Sequence, residues 1–295
     1  MTEQRFSICQ FTTPDTTFEE DLALYRSVGA SGIGIIEEKL RPGQDAELLA
    51  AFEASGLTAT VCLPTNVAVL PVRPPLAYGG PEDTEERIEL MCNSIRRLAP
   101  FRPDCIVVGT GSEVGYSADE ARSIAIDGLR RAAAVAADCG TRLALEPCRR
   151  ELGFDANFLD GLQSTVDLID EIGAQNVGVC YDVYHHWDED DILTVTQAHA
   201  QRVFGVQLND WREPPRSNAD RLLPGDGSID VPALIAALER GGYEGWYDLE
   251  IFSDDGRWGT ALPDSLWNLP AAEVAQRGMD AVRRVWLAAG QSATA

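Results

Sequence analysis

The sequence predicts a parallel eight-stranded α/β barrel, the (β/α)8 or TIM-barrel class, with residues 1–295 forming one domain. Three observations carry that expectation. Short β-rich runs alternate with helical patterns eight times, at about 35 residues per unit, the rhythm of parallel βα units. The chain is long for an ordinary domain but normal for a barrel. Its long connections follow strands, and in a barrel those lie on the face where catalytic groups are found. An open doubly wound sheet shares the rhythm and is the other arrangement it allows.

The first run, RFSICQF (5–11), precedes the helical pattern FEEDLALYRSVGA, which starts near Thr17. SGIGIIE (31–37) precedes DAELLAAFEASG, whose closing Gly suits a helix C-terminus. LTATVCLP (57–64) leads into a long loop, 64–83, and then TEERIELMCNSIRRLA, which begins at Thr84. DCIVVGTG (104–111) precedes a helix opening near Ser117, and RLALEP (142–147) and VGVCYD (177–182) follow. RVFGVQLND (202–210) is followed by the long loop 210–230 and the pattern VPALIAALERGGY. GWYDLEIF (245–252) is followed by the third long loop, 252–264. Loops of that length in a compact domain are more often functional than idle.

Formal charge is −23, from 47 acidic and 24 basic residues, so nucleic acid and anionic membranes are excluded as expected partners. Seven scattered cysteines, without a CxxC pair, suit a reducing compartment and free thiols rather than a disulfide framework or structural zinc. The N-terminal residues show no hydrophobic signal segment, and no run of about 18 apolar residues could span a membrane. A cytoplasmic enzyme is the expectation.

Alternation along the strands locates a site. Side chains at i and i±2 share a face, and the outward face of a barrel packs large apolar residues against helices. On that rule Leu143 and Leu145, then Val177, Val179 and Tyr181, then Phe204, Val206 and Leu208, then Tyr247, Leu249 and Ile251 point outward. The inward set ends in Glu146, Asp182, Gln207 and Glu250 on four consecutive strands. Three carboxylates converging in a dry cavity repel one another unless they are protonated or hold a cation. Glu146, Asp182, Gln207 and Glu250 are therefore expected to ligate one divalent metal. An all-oxygen donor set favours Mg²⁺ or Mn²⁺ over Zn²⁺. Inward parity from Gly32 and Gly34 continues to Glu38, expected to line the pocket. Trp211 and Trp258, in the long loops, are placed to stack on a sugar face. GDG at 225–227 reads as a turn ahead of the last of these helices. His186 and His199 read as structural.

At these residues the chain resembles the xylose-isomerase-like barrel superfamily, the sugar phosphate isomerase/epimerase group. The matching pieces are LALEP, VCYDVYHH, VQLNDW, LPGDGSIDVPALIAALERGGYEGWYDLEIF and DSLW. The resemblance implies the same four ligands, with Gln207 where most members have His. It implies a substrate contact for His185, in the pattern D-x-x-H with Asp182, and for Arg212, which lies one residue short of the family spacing. A Glu that the family's epimerases place six residues beyond the first ligand is replaced by Leu152, with Glu151 one short.

The activity implied is metal-dependent isomerisation or epimerisation of a sugar, keto-sugar or hydroxy-keto acid, through proton abstraction and a metal-stabilised enediolate. Glu146 and Glu250 are the expected acid and base. A lyase or dehydratase acting on a keto-inositol, dehydroshikimate or keto-glycoside would use the same residues. The expected partner is a small carbohydrate-like molecule, and homo-oligomers are expected by analogy alone.

Overall fold

The computed structural model describes residues 5–73, 80–150, 155–159 and 161–292. Each of the eight predicted runs contains strand. The staves are β1 (Phe6–Cys9), β2 (Gly32–Gly34), β3 (Thr58–Ala59) with β4 (Val61–Cys62), β5 (Cys105–Val108), β6 (Leu143–Leu145), β7 (Val177–Asp182), β8 (Val203–Leu208) and β11 (Tyr247–Leu249). All pair in parallel, in the order β3-β2-β1-β11-β8-β7-β6-β5-β4. The third stave closes the ring, because β3 pairs with β2 while β4 pairs with β5. Thr60, between the two pieces, donates its N–H to Ile33 O and accepts from Cys105 N. The expected barrel is the fold.

Outside the sheet run α1 (Phe18–Ser27), α2 (Asp45–Ser55), α3 (Thr84–Leu98) and α4 (Ala118–Asp138). They are followed by α5 (Leu162–Ile172), α6 (Val183–His186), α7 (Ile192–His199), α8 (Val231–Arg240) and α9 (Ala271–Ser292). Thr17 and Ser117 close full capping boxes with Glu20 and Glu120. The cap of α3 is Asp83, one residue before the predicted Thr84. The outward Tyr247 and Phe6 meet Trp286 of α9 edge-on, at ring distances of 5.1 and 5.5 Å.

One outward assignment needs correction. Phe204 packs against the interior set of Val61, Cys105, Val107, Ala144 and Cys180. The cause is an irregularity in the β7–β8 register between Val179 and Cys180, which breaks the alternation at that point. Gly178 makes room for the ring, since a Cβ there would lie 2.6 Å from Phe204 Cδ2.

The long loops are tied to the C-terminal rim. Buried Arg87 holds the first through Ala68 O at 3.0 Å and Pro81 O at 2.9 Å. Gly111, at φ +83°, lets the next rim segment pass Leu70, whose carbonyl oxygen would lie 2.0 Å from any Cβ there. The second loop forms an antiparallel pair, β9 (Asp210–Trp211) with β10 (Arg221–Leu222). Asp210 accepts from the backbone N–H groups of Trp211, Gly225, Gly227 and Ile229, so the GDG stretch is a turn folded on a carboxylate. In the third loop, Asp254 accepts from the N–H groups of Gly256, Trp258 and Thr260.

Candidate active site

The inward residues at the ends of β6, β7, β8 and β11 meet at the top of the barrel. Asp182, Gln207 and Glu250 are buried, and the Glu146 side chain is 14% exposed. Asp182 Oδ1 accepts from Tyr184 N at 2.9 Å and Asn209 Nδ2 at 2.8 Å. Glu250 Oε1 accepts from Gln207 Nε2 at 2.6 Å, with the Cys9 thiol 3.5 Å away. The second oxygen of each carboxylate faces one shared group. Arg221 Nη1 lies 2.7 Å from Asp182 Oδ2 and 2.8 Å from Glu250 Oε2. The guanidinium sits over the rings of Tyr184 and Phe252, at 4.6 and 4.5 Å.

Environment drives the three carboxyls apart. Burial raises Glu146 well above the usual range; Glu250 and Asp182 push the same way, and Arg221 opposes them. Burial also works against the charge on Asp182, but Arg221, His185, the Tyr184 N–H and Asn209 outweigh it and hold the carboxyl low. Glu250 is lifted to about 7 by burial, with Arg221 lowering it and Asp182 raising it. The three carboxyls thus differ in proton affinity, an arrangement that serves acid–base chemistry.

His185 lies beside them, its Nε2 3.7 Å from Asp182 Oδ2 and 3.9 Å from Glu146 Oε1. Its Nδ1 accepts from Arg149 N at 3.0 Å, so the neutral ring carries its proton on Nε2, facing the carboxylates. Burial, the leading cause, lowers its pKa to about 3, which keeps the ring neutral.

Among the described residues, Glu146, Cys148 and His185 form the one set of three His, Cys, Asp or Glu ligand atoms within 4.8 Å of one another. The tautomer argues against that set, because the nitrogen that would have to bind carries hydrogen. Burial raises the Cys148 thiol well above its ordinary value, which keeps it from becoming a thiolate ligand. The oxygens of Asp182 and Glu250 are better suited, since they already surround a positive charge.

The other expected contacts lie elsewhere. Trp211 is buried, its ring covered by Tyr184 at 4.8 Å and Arg149 at 4.8 Å, and its Nε1 donates to Glu213. Arg212 is paired with Asp220 and Asp264. Arg216 joins the same two acids, so both arginines brace the residue next to Arg221. Glu38 is exposed, on a 3-10 turn, while its neighbour Glu37 is buried. Glu151 and Leu152 lie outside the described residues. Trp258 is 43% exposed and packs on Phe252 and Phe11, an aromatic wall beside Arg221. Arg221, rather than Arg212, is the arginine that reaches the carboxylates, although Arg212 stands nearer to Gln207 in sequence. A signal existed in the apolar setting of RLLPG, unusual for a solvated arginine.

Beneath Glu250 on the same strand face, Asp248 is fully buried, and among the described residues neither carboxyl oxygen has a well-formed hydrogen bond. Burial lifts its pKa well above normal and Glu250 adds to that, while the nearby Ser7 and Thr60 hydroxyls partly offset it. A carboxyl raised on folding costs stability as pH climbs past its unfolded value of about 3.9. Asp248→Asn is therefore expected to be more stable than the parent at pH 7, by about 1 kcal/mol or more. The gain should shrink as the pH falls toward 4, which urea unfolding at several pH values would show.

The fold and the site together define a closed parallel barrel with acidic groups at the C-terminal strand ends. Residues 22–285 match the model of the xylose isomerase-like TIM barrel family, and the chain belongs to that family. Hydroxypyruvate isomerase of Escherichia coli (strain K12) is 26% identical over 173 residues, covering 58% of this chain and 63% of the relative. D-psicose 3-epimerase of Enterocloster bolteae is 28% identical over 135 residues, covering 46% of this chain and 42% of the relative. The chain thus matches only about half the length of these curated relatives. The crystal structure of the IOLI protein with a bound zinc atom shares the fold, at a TM-score of 0.78 and 18% identity over 96% of this chain and 98% of that one. Among the described residues, no helix is long and apolar enough to cross a membrane.

Proposed function

We propose that the chain is a divalent-metal-dependent isomerase or epimerase of a sugar, keto-sugar or hydroxy-keto acid. The observation that carries this reading is that Asp182 and Glu250, from two strand ends, share one cationic position at Arg221 Nη1, with Glu146 near enough to feel all three charges. Glu146, Asp182 and Glu250 would hold the ion with Gln207 as the fourth donor, although Gln207 Oε1 now faces the Cys180 thiol at 3.3 Å. When bound, Mn²⁺ or Mg²⁺ would act as a Lewis acid on a carbonyl and its neighbouring hydroxyl. The zinc atom in the similarly folded IOLI protein is in keeping with a metal here.

The chain's own residues then move one proton. Glu250 takes the proton from the carbon next to the carbonyl. Glu146 is the second carboxyl of the site, from which a proton can be returned. Delivery to the carbonyl carbon, with the hydroxyl proton passing to the former carbonyl oxygen, gives isomerisation, and delivery to the opposite face of the original carbon gives epimerisation. His185 donates its fixed Nε2–H to a substrate oxygen, and its neutrality makes that donation independent of pH near 7. The aromatic wall of Phe11, Phe252 and Trp258 shields the apolar face of the substrate from water.

Chelated protein is expected to lose at least about 100-fold in turnover and to recover it with Mn²⁺. The assay uses a panel of ketoses, hydroxypyruvate-like acids and keto-inositols, with products of unchanged mass. Turnover indifferent to chelation would contradict this reading.

A further inference from the structure

We propose that Arg221 is a built-in counter-ion that occupies the metal position in the metal-free protein and must leave Asp182 and Glu250 for a divalent cation to bind. This inference rests on the metal-dependent reading above. Its basis is how the acceptors are divided. In Asp182, Oδ1 is satisfied by Tyr184 N and Asn209, and Oδ2 by Arg221. In Glu250, Oε1 is satisfied by Gln207 and Cys9, and Oε2 by Arg221. Each carboxylate is therefore fixed through one oxygen by neutral donors and offers its other oxygen to the same guanidinium nitrogen. Those two oxygens are the ones a cation would take.

The arginine is anchored at its backbone, and its head is held to the carboxylates through Nη1. Arg221 N donates to Phe252 O at 2.9 Å, and the β9–β10 pair aligns Arg221 with Trp211. Asp220, next in the chain, is gripped by Arg212 and Arg216. At the head, Nε has no hydrogen-bond partner among the described residues. The rings of Tyr184 and Phe252 give the guanidinium a cation–π contact that does not depend on either carboxylate. A side-chain rotation could thus release both oxygens without moving the loop. A divalent ion entering beside a retained guanidinium would meet like-charge repulsion in a buried site, so binding and release are coupled.

The test is the Mn²⁺ affinity of the chelated full chain, by titration calorimetry, in the parent, Arg221→Lys and Arg221→Met. Arg221→Met should bind Mn²⁺ at least about tenfold more tightly than the parent, with Arg221→Lys between them. Equal affinities, or weaker binding by Arg221→Met, would overturn the counter-ion role while leaving the metal site standing. No binding by any form would overturn both. Should Arg221→Met fail to fold without metal, the parent itself decides, through NMR of ¹⁵N-labelled arginine. The slowly exchanging guanidinium signal of Arg221 should vanish or shift on saturation with Mg²⁺, and an unchanged signal would refute the displacement.

Discussion

Glu250→Gln is expected to lower turnover by about a hundred- to ten-thousand-fold, the usual contribution of a positioned general base. The reason is specific to the surroundings of this carboxyl. Both of its oxygens accept hydrogen bonds, from Gln207 and Cys9 on one side and Arg221 on the other. An amide in its place has no basic oxygen to take a proton, and its NH₂ group must face a donor whichever way it is turned. Loss of turnover should therefore accompany lower thermal stability. Restored activity at higher pH would contradict the assignment, because the substituted amide cannot ionise. The measurement is the pH–rate profile of parent and variant on the best substrate of the panel.

The second large effect is on stability. Asp182→Asn is expected to destabilise the metal-free protein by roughly 3–5 kcal/mol, the range seen when one member of a buried ion pair is removed. Every contact of Asp182 is one in which it accepts: Tyr184 N, Asn209 Nδ2 and Arg221 Nη1. An asparagine can satisfy at most one side of that set. Arg221, only 5% exposed, would keep its charge with one carboxylate fewer. The sign in pH follows from the depressed folded value. The stabilisation is present above the unfolded pKa of about 3.9 and is lost as pH falls through the folded value. Parent and variant should therefore differ most near pH 7 and converge in acid. A melting temperature within a degree or two of the parent at pH 7 would show that the buried network carries little of the fold's stability.

Much of this architecture was legible in the residues. The period of two in VGVCYD and GWYDLEIF is enough to send Asp182, Asp248 and Glu250 inward, because a buried strand leaves no third direction. The places where alternation misled have local causes. Phe204 sits where the β7–β8 register shifts, and the extra residue turns that side chain inward while Gly205 and Gln207 keep their inward facing. Glu38 was assigned by extending the parity of β2 past its end at Gly34, into a turn that follows a different period. Arg221 was hidden by topology. It lies 14 residues beyond Gln207 in sequence and reaches the site only because β9 and β10 fold the loop back on itself. Trp211 and Arg212, four and five residues after the expected ligand Gln207, are directed by the same hairpin into the bracing around that arginine. Linear spacing has no access to such a return, since it depends on contacts with Ser253, Phe252 and Asp264 that come later in the chain.

The most direct test of the whole account is anomalous diffraction from crystals of the full chain grown with Mn²⁺. One peak per chain is expected, ligated by oxygens of Glu146, Asp182 and Glu250, with Arg221 turned away from both Asp182 and Glu250. A peak on Cys148 and His185, or none at saturating Mn²⁺ with Arg221 still bridging the two carboxylates, would contradict it.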